Sequence, residues 1–278
     1  MLPDLHTHTH YSDGKHPPDF IVAEAVARGI THLAITDHDC TAAFDDTIEV
    51  PDSLTLIRGV ELSCLWRRTE VHIVGLCIDP AGPTLDKLVG EQQARRQARM
   101  AAMSEKLAAL GTEGLADYVD QLPCVASSRS HAAEFLVEKN VARNRQAAFK
   151  RYLARKAKIW VPAEWCTVDE AVNAIRSAGG ISVLAHAGRY DLNRRSREQL
   201  ATEFAAAGGD AIEVSYPNLD PNMRKFLFEL AAENHLRYSV GSDFHDASAT
   251  WTAIGKFQPL RSAHEQNAVW HHPNWRER

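Results

Sequence analysis

The stretch His32-Leu33-Ala34-Ile35-Thr36 runs without a break into Asp37-His38-Asp39. A short, mostly apolar run has the length and character of a buried strand, and it ends here on three ionisable side chains. The same pattern recurs along the chain. Residues 55–60 lead to Glu61, 71–78 surround His72, 181–185 lead to His186, 211–216 lead to Pro217-Asn218, and 238–242 lead to Asp243. Between these runs, helical patterns occupy 18–28, 168–178, 197–207 and 221–234. Alternating strands and helices predict a parallel α/β architecture. Polar residues gathered at the ends of several strands point to a (β/α) barrel, whose sites occupy that face. A doubly wound sheet would gather its site at one crevice with a glycine-rich phosphate turn, and neither G-x-G-x-x-G nor a P-loop is present.

The alternation lapses between about 85 and 162. One long helix is expected over 86–110, stopped at Gly111, followed by helical compositions at 115–121, 130–140 and 146–156. The expected organisation is therefore a discontinuous barrel, 1–85 and 163–278, carrying an all-helical insertion or lid over 86–162. A coiled coil is the runner-up for that insertion, but its apolar positions do not sustain a heptad.

Bulk properties narrow the function classes. A chain of 278 residues suits one large α/β domain, and its 45% hydrophobic and 24% charged residues are ordinary for a globular protein. A net charge of -5 excludes a basic nucleic-acid binder as a whole. The five cysteines are scattered, with no C-x-x-C pair, which argues against a disulfide framework or zinc ribbon and for reduced thiols. Neither a signal peptide nor an apolar run approaching about eighteen residues is found. The expectation is a cytoplasmic protein with no membrane association and no obligate protein partner.

The chemistry-bearing residues converge. In His6-Thr7-His8, two imidazoles two apart on a strand project from one face and can reach one ion. Asp13-Gly14 supplies a carboxylate from a turn, and Asp243-Phe244-His245 repeats the arrangement with a mixed pair. His38, Glu61, His72 and His186 sit at or near strand ends. Six histidines and three carboxylates on one barrel face exceed what one tetrahedral ion needs, so two or three ions are implied. Mixed imidazole and carboxylate ligation suits Mn²⁺, Zn²⁺ or Fe²⁺ better than Ca²⁺. His8-Thr9-His10 is a competing register for the H-x-H pair.

These motifs resemble those of the PHP (polymerase and histidinol phosphatase) family: Asp4-Leu5-His6-Thr7-His8-Thr9 with Ser12-Asp13-Gly14, then Ile35-Thr36-Asp37-His38, Gly59-Val60-Glu61, Val71-His72-Ile73, Leu184-Ala185-His186 and Gly241-Ser242-Asp243-Phe244-His245, in order. The resemblance implies a distorted (β/α)7 TIM-like barrel with a trinuclear metal centre. It implies ligands at His6, His8, Asp13, His38, Glu61, His72, His186, Asp243 and His245, with Glu61 bridging two ions, and places Asp13, Glu61 and His245 in catalysis. The ions would be divalent, Mn²⁺ first, with Zn²⁺, Fe²⁺ or Mg²⁺ as alternatives. A water bridging such ions becomes hydroxide near neutral pH and can attack a phosphorus centre. Asp13 or a metal-bound water are the candidates for the general acid.

Residues 127–158 reverse the sign of the chain, with nine Lys or Arg against Glu134 and Glu138. Most of these cations belong on a solvated helix face. Ser128-Arg129-Ser130-His131 and Ala185-His186-Ala187-Gly188-Arg189-Tyr190 resemble the PHP branch of nucleoside 3',5'-bisphosphate phosphatases and 5'→3' exoribonucleases, with Ser130 and Ala187 where that branch carries proline. The resemblance implies removal of the 3'-phosphate from a small nucleotide, with Arg129, His131, Arg143 and Arg189 gripping the 5'-phosphate. Short RNA is the alternative substrate, a histidinol-phosphatase-like activity a third, and a non-catalytic module the reading from another class.

Overall fold

The computed structural model describes residues 1–45 and 47–276; positions 277 and 278 of the expected barrel segment lie outside them. The first half of the barrel comprises β1 (Pro3–Asp4), α1 (Pro18–Ala27), β2 (His32–Ile35), β3 (Thr55–Trp66) and β4 (Thr69–Leu76). The helical stretch follows as α2 (Pro83–Ala108), α3 (Leu115–Asp120), α4 (Arg129–Glu138) and α5 (Arg145–Ala148), the last continuing into a widened turn over Phe149–Leu153. The chain returns to the barrel with β5 (Cys166–Thr167), α6 (Val168–Ser177), β6 (Ile181–Leu184), α7 (Arg194–Ala206), β7 (Ala211–Ser215), α8 (Pro221–Glu233), β8 (Arg237–Val240) and the short α9 (Ser262–Glu265).

Sequence chemistry sets several of these starts. Proline opens α1, α2 and α8, where its missing N–H costs nothing. Thr167 and Glu170 cap α6 reciprocally, and Asp220 accepts the N–H groups of Asn222 and Met223 at the start of α8.

Seven strands follow one another around the sheet in the order β1-β2-β3-β4-β6-β7-β8, with β5 pairing only to β3. The open seam between β8 and β1 is all but closed by backbone hydrogen bonds from Leu5 to Val240, Asp243 to His6 and His8 to Phe244, and by a bridge between Thr7 and Phe244. The fold is thus an α/β, barrel-shaped sheet. His6 and His8 do not lie within a long strand, since β1 stops at Asp4; they extend beyond it along this seam.

One strand departs from the all-parallel expectation. β4 runs antiparallel to both β3 and β6. Only Arg67 and Arg68 separate β3 from β4, with Arg67 at φ 57°, and a connection so short can only be a hairpin.

The barrel core joins Val60, Leu62, Ile73, Val172, Ile175 and Leu184 to the start of α2 through Leu85 and Leu88. A second apolar cluster, with Met100, Met103, Leu107, Leu115, Phe135 and Leu136, lies among α2, α3 and α4. α2 therefore begins on the barrel and ends in the helical stretch. Among the described residues no helix is long and apolar enough to cross a membrane.

Candidate metal centre

Strand ends deliver the site. His38 follows β2, Glu61 lies within β3, His72 within β4, His186 follows β6, and Asp243 and His245 follow β8. The turn after His8 brings in Asp13, and it is tight: a Cβ on Gly14 would stand 2.3 Å from the carbonyl oxygen of His8. Asp37 ties this turn down, accepting the Thr9 N–H at 2.7 Å, the Thr9 hydroxyl at 2.6 Å and the Ser12 hydroxyl at 2.5 Å. Asp39, His186 and Asp243 hold positive φ values of 44°, 28° and 50°. For non-glycine residues such angles cost about 1–3 kcal/mol each and persist where surrounding structure enforces them.

Four overlapping groups of ligand atoms result: His8, Asp13, His38 and His245; His6, Glu61 and His186; His6, His8 and Asp243; and His38, Glu61 and His72. All nine residues singled out in the sequence fall in these groups, and His10 falls in none. Glu61 stands at the middle. Its Oε2 lies 3.2 Å from His6 Nε2, 3.2 Å from His8 Nε2 and 3.0 Å from His38 Nδ1. Its Oε1 lies 3.0 Å from His72 Nδ1 and 2.9 Å from His186 Nε2.

The electrostatics are those of a centre built around positive charge. Burial opposes ionisation of Glu61, yet His6, His38 and His72 hold its carboxyl well below the usual range. Asp13 and Asp243 behave alike, burial being outweighed by His38 and His245 around the first and by His245 and His6 around the second. Burial also disfavours charge on His6 and His8, but Glu61 and the neighbouring carboxylates push both upward, His8 to about 9. His38 and His186 are driven down, chiefly by burial.

The fit to a cation is tested by buried atoms that make no hydrogen bond although ion-pair distances of 3.0–3.2 Å separate several of them. His6 Nε2, His8 Nε2, Asp13 Oδ1, His38 Nδ1 and Glu61 Oε2 are buried without a hydrogen-bond partner. An unsatisfied buried polar group costs about 1–3 kcal/mol. Five in one place, all of ligand type, fit a metal ion.

Supporting contacts surround the groups. Glu213, buried like the rest of β7, lies 3.2 Å from His6 Nδ1 and accepts the His186 N–H at 2.7 Å. A carboxylate behind a ligand imidazole fixes its tautomer and orientation. Ser128 and Ser130 both donate to Asp13 Oδ2 at 3.0 Å, and Arg145 donates to Ser130 at 2.7 Å. Thus α4 is fastened to a ligand.

Beside the groups, a cavity lies between barrel and helices, lined by Asp13, His38 and His72 on one side and Arg96, Arg99, Arg129 and Trp165 on the other. Arg96 is fully engaged there. It pairs with Asp39 at 2.6 Å and donates to the Ser127 carbonyl and the Ser63 hydroxyl. Arg99 and Arg129 instead share one carboxylate, Glu70, at 2.9 and 2.7 Å. Of the other cations named from the sequence, Arg189 pairs with Asp243 and Arg143 is exposed outside this cavity. His131 is buried, and its Nδ1 accepts the Ser128 N–H as part of the α4 cap. Sequence reasoning missed Glu213, Glu70, Arg96, Arg99 and Asp39. Only Glu213, a lone acid in an apolar strand, left a local signal.

Comparison with known proteins agrees with this geometry. The PHP domain model matches residues 4–162. The chain belongs to the PHP family. The "5'-3' exoribonuclease Rnm" of Salmonella typhimurium is 42% identical over 92% of this chain and 89% of its own length. The "3',5'-nucleoside bisphosphate phosphatase" of Chromobacterium violaceum is 38% identical, covering 92% of each. A solved structure described as an amidohydrolase from Chromobacterium violaceum, with bound sulfate and no metal, superposes with a TM-score of 0.86 at 33% identity, covering 97% of this chain and 95% of that one. As a PHP-family member this protein is a phosphoric ester hydrolase.

Proposed function

We propose that the chain removes the 3'-phosphate from nucleoside 3',5'-bisphosphates, and that the same centre releases nucleotides from the 5' end of short RNA. One observation carries the reading: Asp13 and His38, two of the residues with orphaned ligand-type atoms, line a cavity where Arg99 and Arg129 are held by a single shared carboxylate. The RNA activity is favoured by likeness to the Salmonella exoribonuclease.

His6, His8, Asp13, His38, Glu61, His72, His186, Asp243 and His245 would hold two to three divalent ions, Mn²⁺ first. When bound, such ions neutralise charge on the phosphoryl oxygens and acidify water. Glu61, reaching five imidazoles, is the residue fitted to bridge. Asp13 is kept ionised and is aimed by Ser128 and Ser130. Arg99 and Arg129 present donors that suit a second phosphate, the 5' group, once Glu70 yields them. Arg189 borders the centre through Asp243. Residues 86–162 serve as the lid that carries Arg99 and Arg129, and the site of action is cytoplasmic.

The test is turnover of adenosine 3',5'-bisphosphate with Mn²⁺ against a phosphomonoester lacking the second phosphate. Hydrogen bonds to a charged group are worth about 1.5–3 kcal/mol, so a preference approaching 100-fold is expected, and Arg129→Ala should erase most of it. Equal turnover of the two esters would overturn the specificity.

A further inference from the structure

Apart from the arginine cavity, a second groove opens. It begins at Arg189, whose guanidinium pairs with Asp243 and stacks 4.8 Å from the Tyr216 ring. It continues along Pro217, Asn218 and Leu219 to Trp251. No residue lines both this groove and the arginine cavity. The groove meets the candidate ligands through Arg189, which is paired with Asp243.

Three features equip the groove for a nucleotide. Trp251 is 49% exposed and is the one aromatic among the large exposed apolar side chains of the described residues. An exposed tryptophan is a sequence-tolerant stacking platform for a base. Its position is built: Asn218, at φ 60°, reaches the Trp251 carbonyl at 3.5 Å, and Lys256 reaches the Thr250 carbonyl at 2.8 Å. The charge also suits a phosphodiester. Three cations, Arg189, Arg224 and Lys256, line the contiguous surface against one acid, Asp220, which caps α8, and Arg224 and Lys256 are held by the carbonyls of Gln258, Pro259 and Thr250. At Gly188 a Cβ would lie 2.3 Å from the Tyr216 hydroxyl, so the floor beside Arg189 has no room for a side chain.

We infer that this groove binds the second nucleotide of a 5'-phosphorylated RNA, its base on Trp251 and its backbone past Arg189. The inference rests on the proposed activity and says where the longer substrate goes. In hydrolysis at the 3' ester, water forms a new P–O bond and the bond from phosphorus to the 3'-oxygen breaks. The departing 3'-oxygen takes up a proton and leaves with the first nucleotide. The phosphate stays on the second nucleotide as its new 5'-phosphate. The rest of the RNA is therefore attached to the phosphorus and must leave the centre away from the cavity that holds the first nucleotide. A mononucleotide bisphosphate has nothing to place in the groove.

The experiment compares adenosine 3',5'-bisphosphate with 5'-phosphorylated diadenylate, using wild type, Trp251→Ala and Trp251→Phe with Mn²⁺. Trp251→Ala should lower kcat/KM for the dinucleotide about tenfold, mainly through KM, and leave the bisphosphate within about twofold. Trp251→Phe should recover most of the loss, which a merely disturbed fold would not allow. Equal falls on both substrates, or no fall on either, would overturn the groove assignment. Wild type inactive on the bisphosphate would instead overturn the proposed function, whatever the variants do.

Discussion

The barrel wall and the helical wall of the central cavity solve opposite problems. On the barrel side, buried imidazole and carboxylate atoms of His6, His8, Asp13, His38 and Glu61 are left without partners. On the helical side charges close on themselves: Arg96 on Asp39, Arg99 and Arg129 on Glu70, Ser128 and Ser130 on Asp13. A buried donor or acceptor is tolerable only when satisfied, so five orphaned ligand-type atoms on the first wall call for a cation, whereas the second wall leaves Arg99 Nη2 without a hydrogen bond but ion-paired to Glu70. This contrast suits the barrel wall to ions and the helical wall to recognition.

The largest effect should come from Glu61→Gln. It removes the central charge shared by five imidazoles, and activity on adenosine 3',5'-bisphosphate should fall on the order of 10²–10³-fold, with bound metal falling in parallel. Full metal content with normal turnover would break the distinction between the walls. Asp39→Ala attacks the opposite side. It leaves Arg96 buried and unpaired and should destabilise by about 3–5 kcal/mol in denaturant unfolding, while metal per folded chain stays near wild type. Loss of metal as well would mean that the walls are not independent.

Chelation should cost less per ion than Asp39→Ala. Removing one ion present at about 100 times its Kd withdraws about 2.7 kcal/mol, a drop in Tm on the order of 5 °C for a chain of this size. Differential scanning calorimetry with and without chelator checks it, and the Glu61→Gln protein should show little change. The smallest effect concerns pH. Burial would raise the Glu70 carboxyl, but Arg129 and Arg99 hold it below its usual 4.5. A carboxyl lowered in the folded state stabilises above its unfolded value, and that stability is lost as pH falls through the folded one. Unfolding free energy should therefore decline as pH drops below about 4.5. Glu70→Gln should flatten that acid limb in a urea titration; an unchanged limb would remove Glu70 from the account.

The clustering of the candidate ligands was legible chiefly through those that sit where an apolar run meets a turn, a signal local to a few residues. His38 after 32–36 and His186 after 181–185 are of this kind. The direction of β4 was not read, although two residues between strands already forbid a crossover. The helical wall was largely invisible. Arg96 and Asp39 are 57 residues apart, and nothing near either names the other. Counting cations over 127–158 drew attention to Arg143, which is exposed, and away from Arg99, which lies earlier on α2 and is buried. His131 is buried and its Nδ1 accepts the N–H of Ser128, a capping contact that its sequence context did not announce.

The seam between β8 and β1 has a consequence for how the protein is made. The Ser242 N–H reaches Asp4 Oδ1 at 2.8 Å across 238 residues of sequence, and the bonds joining His6 to Asp243 lie beside it. Closing the barrel and assembling the ligand groups are one event. A nascent chain emerging from the ribosome carries His6 and His8 long before it carries Asp243 and His245. Contacts of such long range form late. Catalytic competence is therefore among the last properties this chain acquires, and a truncated product lacking the final strand holds an incomplete centre.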